Sequence, residues 1–184
     1  MLKRIAHLGC IVFGGICLAK AAYIPAKAFT AQILLDRSWS KMQMTGDIHL
    51  PWSWMDAYPA AKLHMPNKDT HIVLNTDSGQ ALAFGPALMS GSDLSGDKMI
   101  AIAAHKNTQF KTLQTLKRGD VIGLETPMAN RINYKIERFE IIDSRISGLA
   151  MEPADSLALV TCYPFDAISF NGPMRFVVFA HKMT

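Results

Sequence analysis

The clearest pattern along the chain is a series of short apolar runs that begins after about residue 70. Turn residues separate these runs, among them Asp77-Ser78-Gly79 and a stretch rich in Gly, Ser and Asp at 90–97. Short strands at this spacing, with few helices, are typical of a closed barrel or a sandwich. The predicted strands cover residues 71–74, 99–104, 121–126, 134–142, 157–162 and 175–180. In the fourth run the alternation slips near Arg138, which predicts a bulge.

The region before these strands has a different pattern. Residues 27–41 contain no internal Gly or Pro and place Phe29, Ile33 and Leu34 on one helical face, which predicts a short helix. Residues 51–66 contain three prolines and predict extended chain that wraps the core, because proline interrupts regular elements.

The first residues have the pattern of an export signal. Lys3 and Arg4 precede an uncharged run at 5–19 that is interrupted only by His7. The run has the length of a signal-peptide core and is short for a full bilayer span. Two interpretations remain open: cleavage near 19–21 or 26–28, or an uncleaved anchor in the inner membrane through residues 5–24. In both, the basic residues stay in the cytoplasm and the following domain is exported.

These patterns divide the chain into three parts. We predict a membrane anchor or signal segment at 1–27, a linker helix at 28–50 and a β domain at 51–184. The formal net charge of +4 comes from the leader, since residues 1–35 hold four basic residues and no acidic ones. The rest of the chain has 15 of each sign. A nucleic-acid partner is therefore excluded, because binding to phosphates needs an excess of basic residues.

The cysteines point to catalysis. Cys10 and Cys17 lie in the apolar leader, so Cys162 is the only thiol of the exported domain and has no disulfide partner in the chain. An unpaired thiol in an oxidising compartment is a liability unless it has a function. One cysteine with scattered histidines lacks the spacing of a zinc site, so we predict no metal and no cofactor.

Three side chains form a candidate catalytic group. Cys162 ends one predicted strand, Arg175 opens the next, and His105 follows the strand at 99–104. A thiol needs a base or a cation nearby to react as thiolate, and acyl transfer needs a donor for the developing oxyanion. If the last two strands pair, Cys162 and Arg175 are neighbours at one rim, and His105 must reach them across the barrel.

In this order the residues resemble a known signature. Leu159-x-Thr161-Cys162, Arg175 and the upstream Ala104-His105-x-x-Thr108 resemble the motifs of sortases over about residues 50–180. Residues 161–165 and 83–86 are similar to segments of the sortases of Gram-negative proteobacteria. The resemblance implies a closed β-barrel of about eight strands with short helices, preceded by an N-terminal apolar helix. It also implies catalysis by Cys162, His105 and Arg175, with Thr161, Ala104 and Tyr163 at the substrate.

The family's activity then gives the expected function. The resemblance implies a membrane-anchored cysteine transpeptidase that faces the periplasm and cleaves an LPxTG-like C-terminal sorting signal of an exported protein. An amine acceptor would resolve the Cys162 thioester. A cysteine protease that hydrolyses the same signal is the alternative. Two further classes are weaker: a non-catalytic binding domain, because the three chemical groups are present, and an L,D-transpeptidase, because Val160-Thr161 precedes Cys162 in place of His-Gly.

Overall fold

The computed structural model describes residues 2–92, 94–127, 129–150, 152–167 and 172–183. It has a long N-terminal helix, eight strands, a short second helix and one turn of 3₁₀ helix. The elements are α1 (Leu2–Thr45), β1 (Pro59–His64), β2 (Thr70–Leu74), α2 (Gly79–Phe84), β3 (Ala87–Leu88), β4 (Ile100–Ala103), the 3₁₀ helix (Lys111–Thr115), β5 (Val121–Thr126), β6 (Ala129–Asp143), β7 (Ser156–Cys162) and β8 (Met174–Lys182).

The eight strands close into one barrel, as the resemblance predicts. Neighbours around it are β1-β2-β3-β4-β7-β8-β6-β5, and β5 pairs with β1 to complete the circle. Most pairs are antiparallel, but β2 with β3 and β4 with β7 are parallel. Register shifts between Ile136 and Arg138 where β6 pairs with β8, so the predicted bulge is confirmed. The parallel pair β4–β7 brings together segments that are far apart in sequence.

The chain between α1 and β2 differs from its prediction. Residues 59–64 are not loose extended chain; they form β1, which pairs with β2 on one side and β5 on the other. Pro59 occupies the first position of this strand, where a missing backbone N–H is tolerated. The turn signal at 77–79 also starts a helix that we did not predict, because the Ser78 side chain accepts a hydrogen bond from Ala81 N and caps α2.

Helix α1 packs on the barrel through a face that the sequence pattern did not identify. Phe29 and Ile33, which we placed on one face of the predicted helix, are exposed, and Phe29 keeps 69% of its surface accessible. The buried residues are Ala31, Leu35, Ser38, Trp39 and Met42. Leu35 and Trp39 join a cluster with residues from β2, β3 and α2. The helix ends at Gly46, whose φ of 76° and N–H bond to Met42 O are typical of a glycine C-cap.

The leader lies within α1, which runs without a break across the predicted boundary at residue 27. Within the described ranges, no helix combines the length and apolar character that crossing a membrane requires. The expected membrane-spanning leader is therefore not supported by the fold. The predicted limits of the three parts stay predictions.

The barrel strands have two buried faces. One face points into the barrel and includes Ile102, Leu159 and Val178. The other lies outside β4, β7 and β8, and its buried residues are Met99, Ala101, Ala158, Val160, Val177 and Phe179. Because side chains alternate along a strand, every second residue of β7 and β8 belongs to this outer cluster. The outer cluster is apolar, and part of the β6–β7 connection covers it through Leu149.

We expect Trp39→Ala to destabilise the fold by about 3–5 kcal/mol, the usual cost of removing a buried tryptophan side chain. Trp39 is 2% exposed and sits between the helix and the barrel. Urea denaturation measures the loss. Trp54→Ala is the matched control, since Trp54 is 61% exposed and only its contact with the Trp52 ring, with centroids 5.3 Å apart, would be lost, so its removal should cost about 1 kcal/mol. Equal losses in the two variants would contradict the docking of α1.

Candidate active site

Cys162 and Arg175 lie directly opposite each other at one end of the β7–β8 pair. The next pair, Tyr163 and Met174, is hydrogen-bonded through Tyr163 N and Met174 O at 3.0 Å. Hydrogen-bonded and non-hydrogen-bonded pairs alternate along an antiparallel ladder, so Cys162 and Arg175 form a non-hydrogen-bonded pair. Side chains of such pairs are the closest in a sheet. The predicted neighbourhood of thiol and guanidinium is thus a consequence of strand register.

Both side chains belong to the outer face of the barrel. Cys162 continues the series Ala158 and Val160 along β7, and Arg175 precedes Val177 on β8. Ile142 of β6 is in register with Arg175, so one row crosses three strands and ends at the thiol. Cys162 therefore lies at the edge of an apolar surface and is itself partly exposed.

His105 reaches this end of the barrel because β4 runs parallel to β7. The two strands are aligned from Ile100 and Leu157 to Ala103 and Val160. Past the last aligned pair, Ala104 N donates to Val160 O at 3.2 Å. The Thr161 hydroxyl donates to Ala104 O at 2.7 Å, inside the protein. Parallel strands in register end together, so the residue after Ala104 emerges beside the end of β7.

A cavity of about 450 Å³ is lined by both His105 and Cys162. Its lining is His105, Lys106, Asn107, Thr108 and Cys162. His105 is exposed, and the chain turns behind it, where Thr108 N and Phe110 N both donate to His105 O. A larger groove of about 660 Å³ lies along α1, but its lining contains no cysteine. The cavity at Cys162 is therefore the candidate site.

The Arg175 guanidinium is hydrogen-bonded to two backbone carbonyls of the chain just before it. Nη1 donates to Gly172 O at 2.7 Å and to Met174 O at 3.0 Å. No further hydrogen bond of this guanidinium is found within the described ranges. Two carbonyls fix Nη1, and Nε and Nη2 have no hydrogen-bond partner among the described residues. The register places Arg175 opposite Cys162, but Arg175 is not part of the cavity lining.

Comparison with known proteins identifies the family. Residues 63–183, about two thirds of the chain, match the family model of the sortase domain. The chain belongs to the sortase family. Sortases are cysteine transpeptidases, and this coarser part of the predicted function is confirmed. No match to a curated protein was found.

Solved sortase structures share the fold at low identity. Sortase C1 from Streptococcus suis has a TM-score of 0.59 and 18% identity, over 68% of this chain and 73% of that one. Sortase A from Corynebacterium diphtheriae has a TM-score of 0.59 and 19% identity, over 71% and 63%. Sortase C from Clostridium perfringens SM101 has a TM-score of 0.58 and 15% identity, over 86% and 90%. At these identities the likeness shows the fold alone.

An arginine with two carboxylate partners lies on the outer face of this sortase's barrel. Arg138 of β6 lies 3.9 Å from the Phe179 ring centroid and bonds Glu140 at 2.8 Å and Glu152 at 2.6 Å. The hydrogen bond with Glu140, and then that with Glu152, raises the pKa of Arg138 above its ordinary value. Glu152 belongs to the β6–β7 connection, so Arg138 ties this connection to the barrel beside the apolar surface.

The three residues predicted to touch substrate are packed within the sortase fold. Thr161 and Ala104 are buried, and their polar groups bond each other. Tyr163 is half-buried, and its ring contacts the rings of Phe165 and Phe176, with centroids 6.2 and 6.3 Å apart. The Thr161–Ala104 bond ties β7 to the chain after β4, and the predicted contacts of Thr161, Ala104 and Tyr163 with substrate stay predictions.

Sequence reasoning missed Lys106 in this sortase. A lysine in a polar stretch normally points to solvent, but Lys106 is only 4% exposed and bonds two backbone carbonyls. No sequence signal distinguishes it from a solvated lysine. Within the described residues, no group of three or more His, Cys, Asp or Glu side chains is arranged to hold a metal ion.

Proposed function

We propose that this sortase cleaves an LPxTG-like C-terminal sorting signal of an exported protein and joins the new carboxyl end to an amine. Cys162 is the nucleophile, His105 is the general acid and base, and Arg175 stabilises the oxyanion. The observation that carries the proposal is the shared cavity of His105 and Cys162, with Arg175 opposite Cys162 in the β7–β8 register.

In the first half-reaction, the Cys162 thiolate attacks the scissile carbonyl carbon. The carbonyl π electrons move to oxygen, and the Nε and Nη2 donors of Arg175 can bind this oxyanion while Nη1 stays on its own carbonyls. Collapse of the tetrahedral intermediate breaks the C–N bond. The imidazolium of His105 gives a proton to the leaving amine, and a thioester on Cys162 remains.

In the second half-reaction, an amine attacks the thioester carbonyl. Neutral His105 accepts a proton from the attacking nitrogen, the C–S bond breaks, and the thiolate of Cys162 returns. The product is an amide between the cleaved protein and the acceptor. Hydrolysis is the same step with water in place of the amine, so the chain's own groups serve both outcomes.

The test is a product analysis. Purified enzyme is incubated with a panel of sorting-signal peptides, with and without an amine such as hydroxylamine or glycine oligomers, and products are identified by mass spectrometry. We expect cleavage between Thr and Gly, an acyl adduct on Cys162, and amine-linked product that increases with amine concentration. Cleavage that yields only free acid at every amine concentration would assign the alternative, a cysteine protease.

We expect Arg175→Lys to lower kcat/KM by a factor that corresponds to about 2–4 kcal/mol, the usual cost of losing an oxyanion donor. Lysine keeps the charge but cannot bond Gly172 O and the substrate oxygen through one planar group. Steady-state kinetics with the best peptide of the panel measures the effect. Arg118→Lys, in the exposed turn before β5, is the matched control and should keep wild-type activity. Normal kcat/KM in Arg175→Lys would refute the oxyanion function.

We also propose that residues 1–27 direct export, with the barrel on the periplasmic side of the inner membrane. The support is sequence alone: Lys3 and Arg4 before an uncharged run. Cell fractionation and N-terminal sequencing test it. An anchored enzyme stays in the membrane fraction with its leader; a processed one is released and starts at Ala22 or Phe29. A full-length enzyme in the cytoplasm would contradict both. The closer resemblance to proteobacterial sortases likewise stays a prediction.

A further inference from the structure

A buried lysine connects the two segments that carry the reactive side chains. Lys106 follows His105 directly, and its Nζ donates to Pro164 O at 2.6 Å and to Ala167 O at 2.7 Å. Both acceptors lie in the connection that begins immediately after Cys162. One ammonium group thus joins the chain after the imidazole to the chain after the thiol.

The environment of this ammonium is unusual for a lysine. Lys106 is 4% exposed, and no carboxylate forms an ion pair with it among the described residues. Burial of a charge is costly unless hydrogen bonds replace its water, and charge-assisted bonds to carbonyls are the strong kind. A Met or Leu at this position could fill the same volume without the cost of burying a charge. The ammonium is therefore best explained by what its two bonds hold in place.

Together with the bonds of Ala104, the two Lys106 bonds attach the chain on both sides of His105 to β7 and to the connection that follows it. Ahead of His105, Ala104 is fixed to β7 through Val160 O and the Thr161 hydroxyl. Behind His105, the only hydrogen bonds to the β7–β8 connection found among the described residues are those of the Lys106 side chain. Phe110 is buried in the core and holds the far end of this segment. Without the Lys106 bonds, the turn between Ala104 and Phe110 loses its hydrogen bonds to the chain after Cys162, and the imidazole that it carries is freer to move relative to the thiol.

We propose that Lys106 is a positioning residue, which holds His105 at reacting distance from Cys162 by clamping the β7–β8 connection onto the segment after β4. The inference rests on the proposed function of Cys162 and His105. Lys106 lines part of the cavity, but its ammonium is engaged by Pro164 O and Ala167 O, so in this scheme it donates nothing to the reacting atoms. It acts through the geometry of the pair.

The experiment uses a readout that needs no sorting signal. The full-length chain is treated with iodoacetamide at one pH, and modification of Cys162 is followed by mass spectrometry of its peptide. An imidazole beside a thiol promotes the thiolate, so the rate reports their proximity. We expect Lys106→Met, which keeps the stem and loses the donors, to slow the reaction about tenfold, which corresponds to about 1.4 kcal/mol. Lys106→Arg should restore most of the rate, and Lys111→Met, in the exposed 3₁₀ helix, should change nothing.

A double-mutant cycle separates positioning from general stability. In the His105→Ala background the imidazole is gone, so Lys106→Met should have no further effect on alkylation if it acts through His105. An equal slowing in both backgrounds would overturn the proposal, and so would an unchanged rate in Lys106→Met. Thermal denaturation of each variant shows whether the chain is folded at the assay temperature. If every peptide of the panel stays uncleaved while the cycle shows coupling, the positioning inference stands and the proposed substrate fails.

Discussion

Cys162→Ala should form no acyl-enzyme with any sorting-signal peptide, and its turnover should fall to the background of the assay. Thioester formation needs a nucleophilic sulfur at this rim of the barrel, and no other cysteine occurs between residue 18 and the C-terminus. Cys17 lies in α1, outside the barrel. Intact-mass measurement after mixing with peptide gives the result directly, since the wild type gains the acyl mass and the variant does not.

The fold of this variant should stay intact, because Cys162 is partly exposed and alanine differs from it by a single sulfur atom. Cys17→Ala is the matched control, with the same change at an exposed position of the leader helix, and should acylate as the wild type does. An acyl adduct that persists in Cys162→Ala would mean that another side chain is the nucleophile.

His105→Ala should lower turnover by about 10²–10⁴-fold, the range that general acid–base catalysis contributes. The leaving amine then departs without a proton from the enzyme, and the incoming amine loses its base. Cys162 should still react with alkylating reagents, at the slower rate of a thiol without its imidazole, because the register of β7 and β8 that keeps it accessible does not involve His105. Single-turnover kinetics with the peptide that the wild type cleaves measures the loss.

His181→Ala provides the control for that measurement. His181 lies on β8 near its C-terminal end, far along the strand from Arg175, and pairs with Glu137. The same substitution there removes an imidazole without touching the cavity, so turnover should be close to wild type. A His105→Ala enzyme that is as active as His181→Ala would exclude His105 as the acid and base.

The strand pattern predicted a closed barrel or a sandwich, the resemblance to sortases implied the barrel, and the order of the last two strands predicted the proximity of Cys162 and Arg175. Cys162 and Arg175 lie on consecutive strands, and a short connection makes consecutive strands neighbours, so their proximity follows from local pattern. The bulge near Arg138 could also be predicted, because it interrupts the alternation of apolar and polar residues within a single strand. His105 is different. Its approach depends on the pairing of β4 with β7, and nothing in either run specifies the partner or its register.

The wrong predictions have physical causes in particular residues. Three prolines at 51–66 argued against regular structure, but Pro59 takes the one strand position that does not need an N–H donor. On α1, the shared apolar face of Phe29 and Ile33 did not indicate which side of the helix packs on the barrel. The face that docks is instead set by where β2, β3 and α2 present a complementary surface to Leu35 and Trp39. The burial of Lys106 was missed because its partners, Pro164 O and Ala167 O, are far away in sequence and come close only in the folded barrel.

The order of strands around the barrel affects when catalytic competence arises during folding. The nucleophile and the guanidinium lie in one β7–β8 hairpin, which can form from a local segment. The Thr161–Ala104 bond spans 57 positions, so the imidazole arrives only after a long loop has closed, and such contacts form slowly. A partly folded chain therefore carries the Cys162 thiol before His105 lies beside it, and the pair proposed for catalysis exists only in the complete barrel.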